Sequence, residues 1–176
     1  MKKTRKFFYI FISFISFVWI FFLGKLFVFY LYEKVSWIFQ IQSKGKYFVH
    51  PTASLRNSFN IIIGVNSRIN YNCTIWAGES NKIILGDNLL MGPNVSIQAV
   101  NHGIKSNIPI KLQKRIGKGN VIISNDCWLG ANVTILSGVK IAEGVIVAAN
   151  SVVTKNIDIP FSIWGGVPAK FIKYRE

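Results

Sequence analysis

Acidic residues are scarce: 7 Asp and Glu stand against 21 Lys and Arg, for a formal charge of +14 over 176 residues. Such a balance attracts polyanions, which means nucleic acid, anionic lipid or a phosphorylated ligand. Nucleic acid is not expected, because the basic region carries no recognisable binding module and no aromatic stacking platform. Histidine is nearly absent. The pair at His50 and His102 cannot supply the three imidazole ligands of a metal-hydrating site, so no metal is expected. Cys73 and Cys127 are the whole cysteine inventory; with neither metal-ligand spacing nor a disulfide framework, they point to a reducing compartment. No Gly-x-Ser-x-Gly elbow occurs, which argues against a covalent serine nucleophile.

What the chain does have is apolar length at its start. From Phe7 to Gly24 no charged residue appears, and after Lys25 the run resumes through Tyr32. Roughly 18 or more apolar residues suffice to cross a membrane as a helix. The preceding Lys2, Lys3, Arg5 and Lys6 raise the alternative of a signal peptide, but the run outlasts an ordinary h-region and no small-x-small cleavage site follows. Aromatic residues surround the whole circumference, unlike a helix of a soluble protein. Lys34, Lys44 and Lys46 beyond the run read as contacts to acidic headgroups, at about 1 kcal/mol each.

From about Val49 onward the sequence repeats every six residues. Ile123, Leu129, Ile135, Ile141, Val147 and Val153 keep the period without a slip, while Ile63, Ile69, Ile75 and Leu85, Met91, Ile97 form two further registers. Six is not a helical period, and these segments hold too few apolar positions for plain strand alternation. An all-β, parallel β-helix fits: each unit makes a short strand and a corner, three units close a coil, and the aliphatic residues stack inside. The expected division is a basic, membrane-associated helix or hairpin over 1–46 and a β-helix over 47–176 with a short C-terminal tail. Both cysteines fall four positions after an aliphatic residue, where small core residues recur, so neither is taken as a nucleophile. The period breaks between Trp76 and Lys82, and at length over 98–120, where a projecting loop opens on His102; such loops commonly carry function. His50, at the mouth of the first coil, reads as structural.

The segment from Asp126 to Val139, with Val152-Val-Thr-Lys155 and Gly166-Val-Pro-Ala-Lys170, resembles the hexapeptide-repeat acetyltransferases, most of all the galactoside, maltose and surface-polysaccharide O-acetyltransferases. The likeness runs from about Val49 to Lys173. It implies a left-handed β-helix, acetyl-CoA as donor, and a homotrimer with sites in the clefts between subunits. It makes His102 the catalytic base and Asn70 a contact to the acetyl or acceptor group. Trp128, Ala131, Ala149, Thr154, Lys155, Lys170 and Lys173 match positions around coenzyme A. Lys170 and Lys173 stand where the family often has arginine, and one extra residue separates Lys155 from Pro168, which loosens their placement. Glu79, in a loop longer than in the sugar acetyltransferases, is a candidate acceptor contact.

Histidine suits the implied chemistry, since an alcohol attacking a thioester must lose its proton near neutral pH. Lys105, Lys111, Lys114, Arg115 and Lys118 then form either a solvated loop or a cradle for an anionic acceptor, such as a membrane-linked glycan. Because acetyl-CoA is cytoplasmic, the β-helix is expected on the cytoplasmic face of the cell membrane. The N-terminal positive cluster prefers the same side, so the expected apolar segment is a hairpin turning near Gly24-Lys25. An antibiotic-inactivating acetyltransferase and a non-catalytic membrane-tethered scaffold are the competing readings.

Overall fold

The computed structural model describes residues 2–176, without the side chains of Lys2, Lys3, Thr4, Phe14 and Ile15. Expectations resting on the side chains of Lys2 and Lys3 lie outside the described residues. Helices α1 (Lys2–Ile15) and α2 (Phe17–Tyr30) open the chain. The arms Arg5–Ser13 and Phe17–Phe39 meet at 62°. Serine hydroxyls mark the break: Ser13 Oγ donates to the Tyr9 carbonyl and Ser16 Oγ to that of Ser13, and Ser16 itself is extended. Hydroxyls that compete for backbone carbonyls bend helices in this way. No single described helix is long and apolar enough to cross a membrane; the bent pair reaches that length only together.

The turn expected at Gly24-Lys25 is absent. Helix α2 runs through both residues, and Lys25 Nζ lies 4.6 Å above the Phe21 ring one turn earlier. A glycine among strong hydrophobes stays helical, costing only about 1 kcal/mol relative to Ala. After α2 the chain tightens through a π-helical turn, Leu31–Val35, and a 3-10 turn, Ser36–Phe39. Trp37 is buried there and packs on the end of the core.

Beyond Phe39 the chain coils into a prism walled by three parallel sheets. The first sheet stacks Gln42–Ser43, Ile61–Ile63, Ile83–Leu85, Val121–Ile123 and Lys140–Ile141. The second begins with Phe48–Val49, Arg68–Ile69, Leu90–Met91, Trp128–Leu129 and Ile146–Val147. The third holds Ser54–Arg56, Thr74–Trp76, Ser96–Gln98, Thr134–Ile135 and Val152–Val153. Register converts the six-residue period into columns. Ile63, Leu85, Ile123 and Ile141 stand above one another on the first wall, and Ile69, Met91, Leu129 and Val147 on the second. Fully burying each such side chain stabilises by roughly 1.5–3 kcal/mol.

Corners are turned in the left-handed region: Asn66, Asn72, Asn88, Asn94, Asn132 and Asn150 have φ between 55° and 59°. Asparagine tolerates that conformation where branched residues do not. Gly64 is fixed by packing instead, since a Cβ there would stand 2.3 Å from the Gly86 backbone.

One boundary differs from expectation. The first strand, Gln42–Ser43, precedes position 47 and already pairs with Ile62–Ile63; its polar residues leave no hydrophobic signal. The C-terminal tail carries two strands: Ser162–Gly165 extends the second sheet and Lys170–Tyr174 returns antiparallel beside it. Arg175 Nη1 fastens this end, donating to Asp126 Oδ2 at 2.8 Å and the Gly144 carbonyl at 3.0 Å.

Candidate active site

The long interruption at 98–120 is a hairpin. Asn101–His102 pairs antiparallel with Arg115–Ile116, placing His102 opposite Arg115. Its tip is tied by Gln113, whose Nε2 donates to the carbonyls of Lys105 and Ile108 at 2.8 and 2.7 Å while Oε1 accepts from the Lys105 amide at 2.8 Å. Gly103 leaves room for that tie, because a Cβ there would lie 2.5 Å from Gln113 Oε1. His102 is exposed. Among the described residues no hydrogen bond reaches its imidazole, so both ring nitrogens are open to an incoming group.

His102 lines a cleft of about 140 Å³ with Arg56, Trp76, Gln98 and Arg115. Arg56 lies across Trp76, its guanidinium carbon 4.0 Å from the ring centroid. Behind them Glu33, only 4% exposed, accepts hydrogen bonds from Ser54 Oγ and Arg56 Nε, and Trp76 Nε1 donates to Ser54 Oγ at 3.1 Å. Sequence reasoning missed Arg56, Trp76 and Glu33. No local pattern marked them, since Glu33 stands beside Lys34 and Arg56 beside Asn57; their partnership joins residues far apart in the chain.

A larger groove of about 510 Å³ adjoins this cleft, sharing Asn57, Val100 and Arg115 and adding Glu79, Asn81 and Lys114. Glu79 and His102 therefore occupy the same prism edge. Asn57 Nδ2 holds the Glu79 loop by donating to the Ala77 carbonyl at 2.8 Å. Lys114 and Arg115 reach the grooves, whereas Lys105, Lys111 and Lys118 are exposed outside their linings.

The remaining candidates divide between edges. Asn70, Ala131 and Ala149 follow the second-sheet strands and share the edge between the second and third sheets. Stacking there is tight: a Cβ on Gly92 would meet the Ala131 amide at 2.8 Å, and one on Gly130 the Ala149 amide at 2.6 Å. Thr154 and Lys155 follow Val153 and are exposed on the His102 edge, above it. Trp128 lies on the outer second wall, 49% exposed. Lys170 and Lys173 belong to the antiparallel return, where Lys173 Nζ is paired with Glu176 at 2.7 Å. Asn70 and His102 thus stand on different edges with the third sheet between them, and neither groove beside His102 is lined by Asn70, Ala131 or Ala149.

Both cysteines are buried and unpaired. Burial raises the Cys73 thiol pKa and pushes that of Cys127 up to about 11, which keeps both protonated and unreactive. His50 is held in place: its Nδ1 accepts from the Thr52 amide at 3.2 Å, and its ring meets Phe48 and Tyr71 edge-on. Among the described residues no group of three His, Cys, Asp or Glu could hold a metal ion.

Residues 120–155 match the family model "Bacterial transferase hexapeptide (six repeats)". The chain is similar to the crystal structure of a maltose O-acetyltransferase from Clostridium difficile 630, with 30% identity, a TM-score of 0.70, and coverage of 80% of this chain and 73% of that one. It is similar also to a hexapeptide-repeat acetyltransferase of Vibrio cholerae O1 biovar eltor complexed with acetyl coenzyme A, at 27% identity and a TM-score of 0.67, covering 80% and 74%. Both relatives carry the left-handed β-helix acetyltransferase fold, and this chain shares it. A probable macrolide acetyltransferase of Lysinibacillus sphaericus is 57% identical over 58 residues, 33% of this chain and 32% of its own. The chain spans 59% or less of the length of the first curated relatives that it matches.

Proposed function

The chain belongs to the hexapeptide-repeat acetyltransferase family, and from that premise we propose that it is an O-acetyltransferase moving an acetyl group from acetyl-CoA to a hydroxyl of a sugar or membrane-linked glycan. The observation that carries this reading is His102 standing, with both ring nitrogens open, in a cleft walled by an aromatic ring and two guanidinium groups.

His102 takes the proton from the acceptor hydroxyl as the new ester C–O bond forms, and returns it to sulfur as the thioester C–S bond breaks. No covalent enzyme intermediate is needed, and both thiols are too buried and too strongly protonated to form one. The narrow edge at Ala131 and Ala149 suits a long thin donor, because small residues there leave the backbone approachable. Lys155 and Lys170, both exposed, offer point charges to its phosphates. Asn70 and the alanines sit on one edge, His102 on the other. A site that needs both is completed when a second copy brings its own edge alongside, which supports an oligomer with sites between subunits, such as the homotrimer that the family resemblance implies.

The bent apolar helices support a membrane-anchored protein, and a donor that is a cytoplasmic metabolite places its catalytic body on the cytoplasmic face. The test is thioester cleavage with acetyl-CoA against a panel of glycans, comparing wild type with His102→Ala. Product from no glycan, or equal turnover in the variant, defeats the reading. The short, strong likeness to the macrolide acetyltransferase favours a second reading, drug acetylation; a macrolide in the same panel decides between them.

A further inference from the structure

The junction between the apolar helices and the prism is where a carboxylate is buried. Glu33 sits on the π-helical turn Leu31–Val35 and is 4% exposed. Local π turns frequently occur at functional sites. Both carboxylate oxygens face the prism: one accepts from Ser54 Oγ, the other from Arg56 Nε. Ser54 in turn accepts from Trp76 Nε1 at 3.1 Å, and the Arg56 guanidinium carbon stands over the Trp76 ring, 4.0 Å from its centroid. Arg56 is held from behind and from below.

What is left free on Arg56 is its outer pair of nitrogens, which make no hydrogen bond among the described residues, and its side chain is 36% exposed. They belong to the wall of the His102 cleft, where Arg115 stands as the cross-strand partner of His102. Three ion pairs occur among the described residues, and Arg115 is in none of them. Two planar guanidiniums beside one imidazole, with one positive charge uncompensated, recognise an anion of phosphate or carboxylate geometry.

Resting on the acetyl-transfer reading above, we infer that the His102 cleft selects an acceptor carrying an anionic group beside its hydroxyl. Arg56 and Arg115 bind that anion, and Glu33 is a positioning residue that fixes Arg56. The acceptor subsite is then assembled only when the helical segment is docked through Glu33.

The test uses the full chain in detergent micelles, with galactose 6-phosphate and glucuronate as anionic probes and galactose as the neutral one. Glu33→Gln should raise KM for the anionic probes about tenfold or more, the loss expected of a misplaced charge-assisted hydrogen bond. KM for acetyl-CoA should stay unchanged, and Glu33→Asp should recover part of the loss. Arg56→Gln should reproduce the effect and abolish the preference for the anionic probes over galactose. If phosphatidylinositol added to the micelles outcompetes galactose 6-phosphate through Arg56, the same subsite holds with a lipid as its source.

Wild type that binds galactose no more weakly than the charged sugars overturns the proposal. So does a Glu33→Gln variant whose three substrate constants move together with its melting temperature, as a purely structural role requires. Calorimetric binding separates this from the reaction: Arg56-dependent binding of galactose 6-phosphate without acetyl transfer defeats the function and leaves the subsite standing.

Discussion

Removing the His102 imidazole is expected to slow acetyl transfer by about 10²–10⁴-fold, the usual worth of a positioned base, with acetyl-CoA affinity measured by calorimetry nearly unchanged. The cysteines give a second prediction at the same scale. A thiol whose pKa is raised on folding contributes stability that is complete below its unfolded value and is lost as pH climbs through its folded value. For Cys127 that window runs from 9.0 to about 11. Chemical-denaturant midpoints should therefore fall across it, and Cys127→Ala should flatten the fall. Alkylation of either thiol in the native protein should be undetectable over the time that labels an unfolded control.

Among the elements, the His102 hairpin depends on one side chain. Gln113 makes three hydrogen bonds to the loop backbone, each worth about 1 kcal/mol net. Gln113→Ala should speed amide hydrogen exchange at Lys105 by about tenfold, with little change in the global melting temperature, because the prism beneath is untouched. The strands behave differently. Each is two to four residues long over most of the prism, so no strand is stable without the coils above and below. Leu129 stands in the middle of its column, fully buried. Its replacement by Ala should cost about 2–5 kcal/mol and lower the melting temperature measured by circular dichroism.

For the molecule as a whole, the distribution of candidates over two edges makes a prediction about assembly. Chains carrying His102→Ala and chains carrying Asn70→Ala should each lose most of their turnover. Unfolded together and refolded, they should regain part of the wild-type turnover, because some mixed clefts receive an intact His102 from one copy and an intact Asn70 from another. Turnover that stays at the level of the separate variants would defeat a site shared between copies.

Periodicity alone determined the prism, its columns from Ile63 to Val153, the inert cysteines and the projecting loop that opens on His102. These are local repeats: a six-residue spacing forces each aliphatic side chain inward wherever the coil passes. Tertiary structure decided what no spacing encodes. Gln42–Ser43 is a strand only because Ile62–Ile63 offers it an edge, and the end of the chain is ordered because Arg175 finds Asp126 and Gly144. Arg56 belongs to the His102 cleft because stacking puts Trp76 beneath it and Glu33 behind it. Such contacts join residues of unlike chemistry from distant coils, so their pairing is set by how the coils and helices pack rather than by any pattern along the chain.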